Sequence, residues 1–154
     1  MGKKTVLCLL IIAMAVSLCC LPSLLASAAV EGDWQYTLYD GDTTAAITGY
    51  TGIDTDITIP STIAGKPVTR IGSNAFVDKT TIHSVIIPDS VLRIESGAFQ
   101  NSTLTAVDLG EGVTYIGQHA FYSTELATVT IPSSLETIDK YAFADCTSLA
   151  NINN

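Results

Sequence analysis

The chain has 154 residues and carries 7 Lys+Arg against 15 Asp+Glu, a formal net charge of −8. That balance argues against nucleic acid as a partner, because affinity there comes from Lys and Arg on phosphates, and against an anionic membrane surface. Hydrophobic residues make up 47% of the chain, a figure inflated by the first 28 residues.

Residues 1–28 read as a secretory signal peptide. Lys3 and Lys4 form a positive start, residues 6–21 are almost unbroken apolar sequence, and Ala26-Ser27-Ala28 has the small-x-small pattern of a signal peptidase site. Cleavage is expected after Ala28, giving a secreted or cell-surface protein. Two readings compete. An uncleaved anchor would need roughly 20 apolar residues, more than this run supplies. Lipidation at Cys19 would need a small residue where Leu18 stands. Cleavage removes three of the four cysteines and leaves 5 basic against 15 acidic residues, a net charge of −10. Cys146 then has no intrachain partner. It is expected to be a small buried side chain, with interchain pairing as the alternative. The remaining length supports one domain, large enough to fold without metal or disulfide.

Residues 29–56 are expected to form an N-terminal β cap. Residues 34–38 alternate apolar and polar, Asp40-Gly41-Asp42 is a hairpin turn, and residues 45–50 return. A first strand begins at Ile57, and residues 61–67 insert a loop around Gly65-Lys66-Pro67.

Residues 57–154 repeat. Ala-Phe pairs end at Phe76, Phe99, Phe121 and Phe143, spaced by 23, 22 and 22 residues. Five residues before each Phe stands Ile71, Ile94, Ile116 or Ile138, and three before that Val68, Val91, Val113 or Leu135. After each Phe come Ile82, Leu104, Leu126 or Leu149, then Val85, Val107, Val129 or Ile152. Ile87, Leu109 and Ile131 follow two residues later, each ahead of Pro88, Gly110 or Pro132. A period in this range marks a solenoid. The segment around Val85-Ile86-Ile87 alternates inward and outward as a short strand. One such strand per coil stacks into a parallel sheet, and proline ends it for want of an N–H. The second half of the repeat is expected to turn the chain back through turns or short helical segments, and the phenylalanines to form the spine of the core. Gly72 and Gly117 share their place with Glu95 and Asp139, so that position does not demand a positive φ. At the C-terminus, residues 148–154 enter a further strand and stop, as in a fragment of a longer array or behind an asparagine-rich edge guard.

Ile-Pro-x-Ser-x-x-x-Ile from Ile87 and from Ile131, and Ile-Gly-x-x-Ala-Phe from Ile71, resemble the BspA-like, or Treponema-type, leucine-rich repeats. Gly49-Tyr50-Thr51-Gly52, Ile57-Thr58-Ile59-Pro60 and Gly65-Lys66-Pro67-Val68 look like that family's entry module. The resemblance spans about residues 31–154. It implies a right-handed curved solenoid of mainly β structure. It also implies an exported bacterial surface protein, some relatives acting as adhesins toward host matrix proteins or other cells. It supplies no catalytic residue. The family usually places a cysteine shortly after Ala-Phe, as at Cys146. Here Lys79, Ser102 and Thr124 take that place in the other copies.

The outward strand positions give the candidate binding face: Thr58, Ile86, Asp108 and Thr130 in one row, and Ser84, Ala106 and Thr128 in the other. Asp56, Asn151 and Asn153 continue the two rows. Such small, mostly uncharged ladders suit a protein or glycan ligand on a host or neighbouring cell, since repeat proteins bind through extended faces; a plain solvated sheet is the alternative. Asp40, Asp42, Asp54 and Asp56 form two D-x-D pairs, but their spacing is not that of an EF-hand, and Asp beside Gly more often builds turns. His83 and His119 are read as surface residues. Asn101-Ser102-Thr103 is a glycosylation acceptor where the export pathway uses one. No phosphate loop, metal spacing or paired-carboxylate motif is present, so no enzyme activity, cofactor or metal is expected.

Overall fold

The structure, a computed structural model, describes residues 29–153; the leader expected over residues 1–28 lies outside them. Thirteen short strands and no helix make up the described residues.

The N-terminal part is an antiparallel meander. Strands β1 (Ala29–Glu31), β2 (Trp34–Tyr39) and β3 (Thr44–Tyr50) pair in that order. The turn between β2 and β3 places Asp40, Gly41 and Asp42 all at positive φ, where Asp and Gly are tolerated best. Trp34 packs on Tyr50 with ring centroids 4.6 Å apart. Tyr50 in turn donates its hydroxyl to Asp54 at 2.8 Å.

Each repeat then contributes to two parallel ladders. The first holds β4 (Asp56–Thr58), β7 (Ser84–Ile86) and β9 (Ala106–Asp108), with β11 (Thr128–Thr130) paired to β13 (Asn151–Asn153). The second holds β6 (Lys66–Ile71), β8 (Arg93–Ile94), β10 (Tyr115–Ile116) and β12 (Thr137–Ile138), and it joins the meander through β3. The expectation of one strand per coil is therefore corrected: the second half of the repeat is itself a rung of a sheet. Its strands are only two residues long after β6, too short to show a period of two. The inserted loop is also a hairpin, β5 (Thr62–Ile63) against β6, turning through Ala64 and Gly65 at positive φ. Glu31 holds that turn by accepting the Ala64 N–H at 2.7 Å.

The third side of each coil is the Ala-Phe turn. It has no strand, yet its main chain is bonded from coil to coil. The N–H of Phe76, Phe99 and Phe121 donates to the carbonyl of Ala98, Ala120 and Ala142 at 2.7, 2.7 and 2.8 Å. Two residues before and two after each Phe the backbone is left-handed: Asn74 and Asp78, Gly97 and Asn101, His119 and Ser123, Tyr141 and Asp145. Gly72 and Gly117 do not share this geometry, in keeping with Glu95 and Asp139 at their place.

Inside the three sides lies one column of side chains. Val68, Ile71, Phe76, Ile82 and Val85 are buried, and so are their successors one coil on, Val91, Ile94, Phe99 and Leu104. The four phenylalanine rings stack with centroids 4.8, 5.2 and 5.1 Å apart and planes within 6° of parallel. That spacing is close to the ~4.8 Å between neighbouring strands, so rings and main chain advance together. In the two middle coils the residue three positions after the Phe bonds back to the Phe carbonyl. Ser102 and Thr124 donate hydroxyls to Phe99 and Phe121 at 2.8 and 3.0 Å. Cys146 is part-buried rather than buried, because its thiol reaches the Phe121 carbonyl at 3.0 Å beside Thr124 at the open end of the stack. Lys79, at the same place in the first coil, donates to the Tyr50 carbonyl at 2.9 Å and so ties the meander to the repeats.

Phe99 has a ring on both faces and Phe143 on one. Phe99→Ala is expected to lower unfolding free energy by about 3–5 kcal/mol, and Phe143→Ala by distinctly less. Urea titration followed by circular dichroism checks both.

Candidate functional site

The first ladder sets its side chains by the pleat. Ile57, Val85, Val107 and Val129 point into the core, so their neighbours on either side point out. Pairing puts Asp56, Ser84 and Ala106 in one row and Thr58, Ile86 and Asp108 in the other. Beyond them Thr128 stands beside Asn151, and Thr130 beside Asn153. All of these residues are exposed except Ser84, which is half-buried. The main-chain pairing is interrupted between β9 and β11, where the Ala127 N–H to the Thr105 carbonyl, at 3.3 Å, bridges the two coils. Val107 is only part-buried beside this interruption.

Chemically the face is a strip of hydroxyls and methyls. Ile86 is an apolar centre, 48% exposed. Two carboxylates flank it, Asp108 directly beside it in its own row and Asp56 diagonally in the other, and no Lys or Arg sits in either row. Asp56 is held in place: its carboxylate accepts the hydroxyls of Ser84 and Thr55. These two hydrogen bonds, Ser84 first, hold its pKa below the ordinary carboxylate value, with a smaller contribution from the charge of His83.

The second ladder carries a different surface, which sequence reasoning passed over. Its outward residues are Arg70, Arg93, Tyr115 and Thr137. Arg93 lies over the Tyr115 ring, 3.8 Å from the centroid, and donates to Glu95 at 3.0 Å. Arg70 reaches the same Glu95 at 3.5 Å and stacks on Tyr39. Tyr115 donates its hydroxyl to Asp139 at 2.6 Å, and that bond raises its phenol pKa. Both guanidinium groups are thus already occupied by rings and carboxylates. The clue in the sequence was an arginine repeated one residue before Ile71 and Ile94, meaningful only once those coils are stacked.

The four N-terminal aspartates do not converge. Asp40 faces Thr44 and Arg70, Asp54 takes the Tyr50 hydroxyl, and Asp56 takes Ser84. Among the described residues no three His, Cys, Asp or Glu side chains gather as metal ligands would. His83 is exposed. His119 is only partly so, which corrects its reading as a plain surface residue: its ring stacks on Tyr141 at 5.3 Å and meets the edge of Tyr122 at 5.2 Å. In the glycosylation triplet Asn101 is exposed but bonded to Asp78 at 3.0 Å, and Ser102 is buried.

Residues 55–154 match the BspA type leucine rich repeat region (6 copies). A leucine-rich repeat protein from Bacteroides capillosus is 32% identical, with a TM-score of 0.74 over 82% of this chain and 97% of that one. The leucine rich repeat protein of T. pallidum is 28% identical, with a TM-score of 0.65 over 81% of this chain and 70% of that one. The pneumococcal vaccine antigen PcpA, 23% identical, shares the fold with a TM-score of 0.71 over 85% of this chain and 38% of its own. No curated protein matches the chain. Repeats of this family serve as scaffolds for protein–protein interaction. The chain belongs to the BspA-type leucine-rich-repeat family.

Proposed function

We propose that the protein is an exported surface or secreted adhesion module that binds a protein ligand through the outward rows of the first ladder. The observation that carries this reading is the character of that face. Thr58, Ile86, Thr128 and Thr130 offer short, rigid, uncharged side chains around an exposed apolar centre, and extended faces of this kind are what stacked repeats use for binding. The second ladder is a weaker candidate, because Arg70, Arg93 and Tyr115 are engaged with one another and with Glu95 and Asp139. Export rests on the leader expected over residues 1–28.

The alternative is a non-catalytic spacer within a larger exported protein. In the last described coil Ile138 and Ile152 are 48% and 56% exposed.

Lysine at Ile86 or Thr130 separates the two readings. Both positions are exposed, so the melting temperature is expected to hold. The adhesion reading expects at least about a tenfold loss of binding to immobilised matrix proteins or cells. Unchanged binding, or no binding by the parent, favours the spacer.

A second expectation concerns acid. Because the folded pKa of Asp56 is depressed, its contribution to stability is present at neutral pH and is lost as pH falls through that folded value. NMR titration is expected to place Asp56 below ordinary aspartates, and Ser84→Ala to bring it back toward them.

A further inference from the structure

The Ala-Phe side of the solenoid carries a row of its own, formed by the left-handed residues two before each phenylalanine. In stacking order it reads Asn74, Gly97, His119 and Tyr141. Three of these bear side chains and one does not. At Gly97 the row is missing a rung, and there the surface opens into a hollow of about 250 Å³. Gly97 is its floor. The Asn74 carboxamide oxygen leans over the place where a Cβ would stand, and the Gln100 Oε1 borders it at 3.3 Å. Ser73, Ser96, Gln118 and His119 complete the wall.

The lining is unusual in what it omits. No Lys, Arg, Asp or Glu contributes to it, although the chain as a whole is strongly acidic. With no full charge in it, that lining suits a neutral ligand better than a phosphate or a carboxylate. It offers three carboxamides instead, each able to donate two hydrogen bonds and accept at its oxygen. Among the described residues none of these amides is spent on an internal hydrogen bond, whereas Asn101 on the same side is bonded to Asp78. Beside them lies an aromatic platform. His119 stacks on Tyr141 with planes 9° apart. Tyr141 is one coil beyond, so the opposite face of the imidazole looks along the row toward the gap at Gly97.

Paired donors and acceptors next to a ring face are complementary to a pyranose. Neighbouring hydroxyls each donate and accept, and the C–H face of the sugar carries the positive edge that a π face attracts. At about 250 Å³ the hollow lies below the ~300–1,000 Å³ typical of small-molecule pockets, a size that suits one ring better than an extended chain. The geometry points to a binding site for a single neutral sugar residue, such as a terminal hexose of a glycan, seated in the hollow beside Gly97 among the amides of Asn74, Gln100 and Gln118 and stacked on His119. This site is on a different side of the coil from the strand rows and stands or falls separately from them.

The fold supplies its own test. Asn tolerates the left-handed region, and the first coil already carries Asn74 at the equivalent place. Gly97→Asn therefore keeps the backbone and fills the gap, displacing only the ends of flexible side chains. The purified chain is titrated with glucose, galactose, mannose and N-acetylglucosamine, with glucuronic acid as the charged comparison, and followed by amide NMR and calorimetry. Expected is a perturbation centred on Gly97, Gln118 and His119 by a neutral sugar, weakened about tenfold or more in Gly97→Asn and clearly in Gln118→Ala, an exposed change that leaves the core untouched. Silence toward every neutral sugar at millimolar concentration overturns the proposal. So does a preference for glucuronic acid, or affinity undiminished in both variants.

Discussion

Everything in this molecule depends on keeping successive coils in register one strand-width apart. No coil can bury its own apolar edge, so stability is a property of neighbours. The stacked phenylalanines enforce the register from within, at 4.8–5.2 Å. The Phe-to-Ala main-chain bonds enforce it from the turn side. The two parallel ladders close the remaining sides. Because rings and backbone share one repeat distance, a shift in either would break the other. The meander continues the second ladder through β3, and Lys79 fastens it to the Phe stack, so the N-terminal end of the column is covered.

The turn side shows what this registration demands of the sequence. Two left-handed residues bracket each phenylalanine. A non-glycine residue there costs roughly 1–2 kcal/mol, least for Asn, Asp and His. The sequence answers with Asn74, Asp78, Gly97, Asn101, His119 and Asp145, while Ser123 and Tyr141 hold the same geometry without that advantage. The same positions form an outward row, so a backbone requirement has produced a surface of amides and rings. One constraint thereby shapes both the fold and the hollow at Gly97.

Much of the architecture was legible from the chain. Period, inward positions and the phenylalanine spine could be read because a stacked core repeats the same apolar residue at the same place. The rows of the first ladder were legible because a pleat alternates, and Asp56, Ser84 and Ala106 duly share a row. The second ladder was not, since Arg93-Ile94 and Tyr115-Ile116 are too short to display alternation. Nor were the environments that arise only between coils. His119 meets Tyr141 from 22 residues away, and Arg70 meets Glu95 across β6 and β8. The left-handed sites had a signal in Asn, Asp, His and Gly at fixed offsets from each phenylalanine, visible once the period is known.

Native-state hydrogen exchange tests the dependence on neighbours most directly. The amides of Phe76, Phe99 and Phe121, bonded from coil to coil and capped by rings, are expected to exchange last and together, through opening of the whole stack. Those of Asp139, Ala142 and Leu149, in the last described coil, are expected to exchange much sooner. Equal protection along the chain, or a last coil as slow as the centre, would contradict the claim that each coil is held by the coils beside it.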